Sequence, residues 1–490
     1  MITAPFKANP FAPRKYGELK KVTDRVFIFR NITNSSFVIG NRSVAVIDTQ
    51  VNRPTAEALL RSIRTVTDKP VEFVINTHYH WDHTNGNALF EKEGATVVSS
   101  KLTKEFMETR RARQKGFLAG RGFELGEDPL LPRVTFEGEF TVDTGGMPLK
   151  LFFAGAAETE DATAVFVASE NVLMSGDTVM TGSFPIFGQP VWDEGLEGND
   201  SWIRTIQSLA ALKPKCIVPG HGPLAHDKEI KLLVKIEEYF LDEVKRLVQK
   251  GLDAEAVLQH LEPRLPSWIT EIPIVWGTPR YAILRVYRGL TKKKTDPEPG
   301  WQRFKPSAVP KADAFALNQK ILGKETVDEF LQMASEAQEG GDLGLKLGIL
   351  KKSSEIFSDS TKALNAYAEA LVQASKAEAS VLEKGDFFQI ARTCWDRAIR
   401  LNPKDPEALL GKGRYLTMMA YRGGDDPREG MGLLSKVLEL APGGWVEAEA
   451  EFYLGMGYRR LGEETNARAQ FEKALTLEPA FMPARLALQC

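Results

Sequence analysis

Up to about residue 290 the apolar positions of this 490-residue chain fall into short runs with two different periods. Asp24–Arg30 (DRVFIFR), Asn34–Gly40 (NSSFVIG) and Ser43–Thr49 (SVAVIDT) are rich in β-branched and aromatic side chains and are separated by Asn or Gly turns, which predicts three consecutive strands. Thr55–Thr65 changes to helical spacing, and Val71–Thr77 (VEFVINT) has the pattern of a buried strand. Further strands are expected at Leu149–Phe153, Ala164–Ala168, Val172–Met174 and Cys216–Val218, with helices over 200–212 and 226–250. Strands and helices that alternate in this way point to an α/β fold.

The pattern breaks at Thr291–Trp301 (TKKKTDPEPGW), where charge and proline mark a linker, and beyond about residue 310 nearly every segment is helical in spacing. The length also exceeds one ordinary core. Four regions are therefore expected: an α/β catalytic domain over 1–290, a linker over 291–310, a helical region over 311–385 and an all-α repeat region over 386–490. In the last, Leu454, Gly455, Tyr458, Ala467, Phe471, Ala474 and Pro479 fall at the positions of a tetratricopeptide repeat. The small residues let two helices approach, Phe471 plugs the gap, and Pro479 ends the second helix. The endings RAIRLNP, KVLELAP and KALTLEP recur at intervals of 39 and 37 residues, which implies small insertions such as Gly423–Glu429 in a repeat of roughly 34.

Composition narrows the class. Apolar residues make up 43% and charged residues 26%, a profile of soluble globular proteins. A formal net charge of −2 gives no electrostatic case for nucleic acid. Three scattered cysteines (Cys216, Cys394, Cys490) read as reduced thiols and favour the cytoplasm. The first residues lack the apolar core of a signal peptide, and no apolar stretch reaches the length of a membrane span.

The candidate chemistry begins at Thr77–Asn87 (THYHWDHTNGN), directly after the strand VEFVIN. His78, His80, Asp82 and His83 fall within six residues, and imidazoles with carboxylates are the donor set for divalent metals. A His-rich surface turn is the alternative. It is a poor account of three of the chain's six histidines in one loop. Ser175-Gly176-Asp177 follows the strand VLM, and Pro219-Gly220-His221-Gly222 follows the strand CIV. Each is weak by itself, since such turns are common; in this order the three are jointly specific.

Residues 20–260 therefore resemble the metallo-β-lactamase superfamily. The resemblance implies an αββα sandwich followed here by an all-α helical-repeat domain, with two metals at one edge of the sheets. It implies His78, His80 and a third residue on the first metal, Asp82, His83 and His221 on the second, and Asp177 as the bridge. Most members carry a histidine 19 positions before the bridging aspartate, where this chain has Glu158, in Ala154–Phe166 (AGAAETEDATAVF). Glu160 and Asp161 leave the register open, and an exposed acidic loop is the other account of the segment. A carboxylate at that place resembles the alkylsulfatase branch. Trp276–Arg280, Leu284–Leu290, Gly300-Trp301 and Phe304–Ser307 are similar to the segment joining the alkylsulfatase catalytic and dimerisation domains, and Glu336–Asp342 lies in a stretch similar to the latter. The chain departs from that branch at Gly176–Met180, where alkylsulfatases have a bridging glutamate, then Asn and a nearby His. Repeats also stand in place of a sterol-carrier-like domain.

The implied activity is hydrolysis by a hydroxide held between two divalent ions, zinc first with manganese or iron as alternatives, and Asp82 and Asp177 as the catalytic carboxylates. The substrate would be a small molecule with an ester-type bond, a sulfate ester by the alkylsulfatase likeness; a carboxylic ester or lactone is the alternative. A non-catalytic scaffold acting through its repeats is the third reading, and a homodimer or a protein partner is expected through the helical region. A flavodiiron-type oxidoreductase would need a glutamate where His80 stands, and a nuclease would be expected to carry a basic surface. Lys101–Arg133 and Thr181–Asn199 are the expected loops over the metals. His226 and His260 read as surface residues, Cys216 as a packed thiol, and Asp48 as an organiser of the loops beneath the site.

Overall fold

The computed structural model describes residues 17–112, 114, 129–187, 199–275, 277–292, 325–376, 381–423 and 426–489. These divide into two compact units whose border falls inside the stretch 293–324. The first unit holds two sheets. One runs in the order β1 (Glu18–Lys21), β2 (Val26–Arg30), β3 (Asn34–Ile39), β4 (Val44–Ile47), β5 (Val71–Ile75), β6 (Thr96–Ser100) and β7 (Val134–Phe136). Its first four strands pair antiparallel, and β4 to β7 pair parallel. The other sheet comprises β8 (Glu139–Asp143), β9 (Pro148–Phe153), β10 (Thr163–Val167), β11 (Val172–Met180) and β12 (Cys216–His221), in the order β12-β11-β10-β9-β8.

Strand periodicity sorts the core into layers. Val26, Ile28, Val38, Ala45 and Ile47 point from the first sheet towards Leu149, Leu151, Val165, Met174 and Val218 of the second. Their neighbours Phe27, Phe29, Phe37, Val44 and Val46 point the other way, onto Leu59 and Ile63 of α1 (Arg53–Arg64) and Phe90 of α3 (Asn87–Lys92). Asn52 starts α1 with a reciprocal cap to Thr55, and Pro54 sits in the first turn, where its missing N–H costs no helical hydrogen bond. Outside the second sheet, α5 (Asn199–Ala211) and α6 (Asp227–Gln249) pack on β11, with Phe187 edge-on to Trp202 and Phe240. Helix, sheet, sheet, helix is the expected αββα sandwich. Three further helices, α7 (Ala254–Leu261), α8 (Ser267–Thr270) and α9 (Pro279–Thr291), follow α6.

Where the pattern was strong, the elements lie where expected. The short strands β1, β6, β7 and β8 were not anticipated, and three of them carry exposed polar positions that blur the alternation. Two strands run further than their apolar cores: β11 continues through Ser175-Gly176-Asp177 to Met180, and β12 includes Pro219-Gly220-His221. Part of the expected loop Lys101–Arg133 is helical, as α4 (Lys101–Thr109). The rest of that loop from 115 to 128, and 188–198 of the other expected loop, lie outside the described residues. So do Trp276, Gly300-Trp301, Phe304–Ser307, Cys490 and most of the expected linker.

The second unit is all-helical among its described residues: α10 (Val327–Glu339), α11 (Leu343–Ile356), α12 (Thr361–Ser375), α13 (Val381–Leu401), α14 (Pro406–Gly423), α15 (Arg428–Leu440), α16 (Gly444–Arg460), α17 (Glu464–Leu477) and α18 (Met482–Ala487). One apolar cluster runs from Phe330 to Leu416, and α13 passes through residues 385 and 386, so the expected border there is packed as continuous core. In α16 a side chain on Gly455 would meet the Phe471 ring of α17 at 2.4 Å, which explains the small residue. Arg414 of α14 forks onto Glu369 of α12 at 2.6 and 2.7 Å, and approaches Glu449 of α16 at 3.5 Å. No described helix is long and apolar enough to cross a membrane.

Candidate metal centre

The expected ligands converge from four places in the chain. The turn after β5 delivers His78 and His80, and α2 (Trp81–Thr84) carries Asp82 and His83 in a single turn. Glu158 lies on the segment between β9 and β10. Asp177 and His221 come from adjacent parallel strands, β11 and β12, whose pairing shifts register on both sides of Gly176. Two glycines make that approach possible. Gly176 has φ +50°, and a side chain there would strike Thr77 Oγ1 at 2.5 Å. A side chain on Gly220 would lie 1.8 Å from Asp177 Oδ1.

Potential ligand atoms of His78, His80, Glu158 and Asp177 all lie within 4.8 Å of one another, and so do those of Asp82, His83 and His221. His83 Nε2 is 3.3 Å from Asp177 Oδ1, while His221 Nε2 and His78 Nε2 are 3.3 and 3.8 Å from Asp177 Oδ2. His80 Nδ1 is 3.5 Å from Glu158 Oε2, and His221 Nε2 is 3.4 Å from Asp82 Oδ2. Most of these are long for direct hydrogen bonds, yet two ligands each about 2.0–2.2 Å from one tetrahedral ion sit roughly 3.3–3.5 Å apart. His78 Nε2, His83 Nε2, His221 Nε2 and Asp177 Oδ1 are all buried without a hydrogen-bond partner. Three buried carboxylates without a cation would cost several kcal/mol each, so the donor set fits a pair of divalent metals.

The ring nitrogens that face outward are tied down. His83 Nδ1 is 2.8 Å from Asp48 Oδ2, and His221 Nδ1 is 2.8 Å from the Ile32 carbonyl. Thr77 donates its hydroxyl to Asp48 Oδ2 at 2.8 Å, which leaves Thr77 Oγ1 to accept from His78 Nδ1 at 3.0 Å. Each of these three rings therefore presents an unprotonated Nε2 to the centre when metal is bound. Asp48 acts beneath the site as expected. Around Asp82 and His221, Thr33 donates to Asp82 Oδ2 at 2.7 Å, and Asn34 Nδ2 donates to the carbonyls of Pro219 and Gly222, both at 2.8 Å.

Charge follows from this packing. Burial works against ionised histidine, and it drives His78 well below the ordinary imidazole range. For His221 the carboxylates of Asp177 and Asp82 overcome burial and push its pKa up to about 10. Asp177, Asp82 and Asp48 likewise hold His83 well above its usual value. Against burial, His221 and His83 keep Asp177 well below the carboxylate range. Protonation of the His83 and His221 imidazoles is thus favoured beyond their ordinary tendency. Metal and protons compete for these nitrogens, so falling pH weakens the hold on metal.

The two glutamates of this segment have different surroundings. Glu158 is 1% exposed and faces His80, whereas Glu160 turns to Arg110 Nη1 at 3.0 Å. His226 is exposed at the start of α6, His260 is half-buried on α7, and neither joins the clusters. Cys216 is a buried thiol. Sequence reasoning missed Thr33, Asn34 and Arg285. The first two look like ordinary turn residues, and no spacing rule ties them to the ligands. Arg285 did leave a signal: it interrupts the mostly apolar run YAILRVYRG, all of which is buried within α9.

The sequence profile of the metallo-β-lactamase superfamily matches residues 28–221. A metallo-β-lactamase type 2 of Bacteroides fragilis is 23% identical over 216 residues, covering 44% of this chain and 78% of that protein. A linear primary-alkylsulfatase of Pseudomonas sp. is 20% identical over 341 residues, covering 61% of this chain and 62% of its own length. An alkyl/aryl-sulfatase of Saccharomyces cerevisiae is 25% identical over 310 residues, covering 54% of this chain and 46% of that one. The chain thus spans less than two thirds of either sulfatase. In fold it is similar to the inverting sec-alkylsulfatase Pisa1 of Pseudomonas sp., with TM-score 0.56, 15% identity, and 81% and 70% of the two chains covered. With seven metal-capable side chains gathered from the turn after β5, the segment between β9 and β10, and strands β11 and β12, residues 28–221 form a domain of the metallo-β-lactamase superfamily, whose members include metal-dependent hydrolases.

Proposed function

We propose that the chain hydrolyses sulfate esters of small alcohols at a dinuclear centre held by His78, His80 and Glu158 on one side, Asp82, His83 and His221 on the other, and Asp177 between them. The observation that carries this reading is the carboxylate of Glu158 facing His80, at the place where most superfamily members have a third histidine. The alkylsulfatase likeness also covers 61% of this chain, a larger share than the matched residues 28–221. Two divalent ions there, zinc in the first instance with manganese or iron as alternatives, would supply an activated water and a Lewis acid for the scissile bond. The chain's own residues do the positioning. Asp177 reaches His83 through one oxygen and His78 and His221 through the other. Asp82, whose Oδ2 accepts from the Thr33 hydroxyl, would take up the proton of the attacking water.

A carboxylic ester or lactone is the second reading, favoured by Gly176–Met180, which departs from the alkylsulfatase pattern at Asp177. Zinc- and manganese-loaded protein assayed against alkyl sulfates, aryl sulfates, carboxylic esters, lactones and phosphodiesters separates the two. Release of inorganic sulfate with a kcat/KM at least tenfold above that for any other class is the expected result. Turnover of carboxylic esters or lactones alone would replace the first reading with the second. Self-association through the helical unit belongs to the same proposal, by likeness of Glu336–Asp342 and its surroundings to the alkylsulfatase dimerisation region. The buried free thiols Cys216 and Cys394 suit a reducing compartment, and the cytoplasm is proposed.

A further inference from the structure

The segment that carries Glu158 is held by its backbone. Thr205 of α5 donates its hydroxyl to the Ala156 carbonyl at 2.9 Å. Arg285 of α9 takes the next two carbonyls, donating through Nη1 to Glu158 at 2.7 Å and through Nη2 to Ala157. Three consecutive carbonyls are thus fixed, and the Glu158 side chain leaves a backbone with little freedom. Arg285 is 3% exposed, and its guanidinium lies over the Trp202 ring at 4.9 Å. Trp202 in turn donates from its indole nitrogen to the carbonyl of Thr178, one residue beyond Asp177, at 2.9 Å. Among the described residues the polar partners of Arg285 are those two carbonyls alone. A buried cation with only neutral acceptors is costly unless it serves a charge nearby.

We infer that Arg285 is a positioning residue for the first metal site: it pins the Glu158 backbone and returns the positive charge that a glutamate in place of histidine removes. This rests on the proposed ligand role of Glu158. In charge terms, Glu158 with Arg285 is neutral, as a neutral histidine is. Only in this arrangement does the carboxylate leave the net charge of the centre where a third imidazole would leave it. The cation comes from α9, outside the matched residues 28–221. It would act through its contacts to the Glu158 segment without touching the metal or the substrate.

The test uses the full chain, zinc as the probe and a chromophoric chelator as competitor, with far-UV circular dichroism as the folding control. For Arg285→Met, the dissociation constant of the site containing Glu158 is expected to rise about 10- to 100-fold, the usual scale for losing a residue that orients a ligand, while the other site changes less than about twofold. Arg285→Lys, which keeps the charge and one donor, should recover part of that loss. In a Glu158→Ala background, Arg285→Met should add little, because its route to the metal is already gone. Where Arg285→Met does not fold, the comparison of Arg285→Lys with and without Glu158→Ala carries the test. Unchanged affinity at both sites, equal loss at both, or full additivity with Glu158→Ala would overturn the inference. A wild-type chain that binds no zinc at all would instead remove the metal-centre reading beneath it.

Discussion

The doubly substituted chain His78→Ala/His80→Ala is expected to keep at most one divalent ion and to lose hydrolysis by on the order of 10³-fold or more, the scale of removing a group that stabilises reaction charge. Both rings sit on a turn outside the apolar clusters that hold the two sheets together. The fold should therefore survive with a stability cost of about 1–3 kcal/mol. His83 and His221 retain their partners Asp48 and Ile32, so the ion between Asp82, His83 and His221 has reason to remain. Elemental analysis before and after dialysis against chelator, alongside turnover, checks both halves. Full activity in this variant would remove the metal centre from the account.

Replacing Glu158 should have the next largest effect, and its direction depends on the replacement. Glu158→Ala should lose the first metal preferentially and with it most of the activity, by about 10²-fold or more. Glu160→Ala should change little at the centre, because Glu160 is committed to Arg110. Glu158→His should still bind two metals but favour zinc over manganese, since an imidazole is a softer donor than a carboxylate. It also raises the positive charge of the centre by one, and Arg285 is then no longer offset. The ionisation controlling the rising limb of the pH–rate profile is therefore expected to move to lower pH, by about one unit. Movement to higher pH, or an emptied site in Glu160→Ala with a full one in Glu158→Ala, would show that the wrong glutamate has been placed at the metal.

Much of this was legible in the chain because it was dictated locally. His78, His80, Asp82 and His83 lie within six residues, and a buried strand followed by a short turn leaves them few ways to point. Asp177 and His221 were readable because Ser175-Gly176-Asp177 and Pro219-Gly220-His221-Gly222 follow their strands in the chain order that makes them specific together with the first motif. The 19-residue interval before Asp177 pointed to Glu158, but Glu160 and Asp161 left the register open, since an irregular segment carries no period. Only the three-dimensional contacts, Arg110 on one and His80 opposite the other, make the distinction. The supporting residues were invisible for another reason. Thr33 and Asn34 act through contacts to positions far along the chain, as where the Asn34 amide donates to the Gly222 carbonyl 188 residues away. The helical unit shows the converse: helices were plain from their spacing, but the continuous core from Phe330 to Leu416 depends on how they pack.

Anomalous scattering from crystals grown with zinc, measured on both sides of its absorption edge, tests the central claim most directly. Two peaks are expected, one among His78, His80 and Glu158 and the other among Asp82, His83 and His221, with Asp177 in reach of both. A single peak, or two peaks with the Glu158 carboxylate turned away from either, would contradict the account.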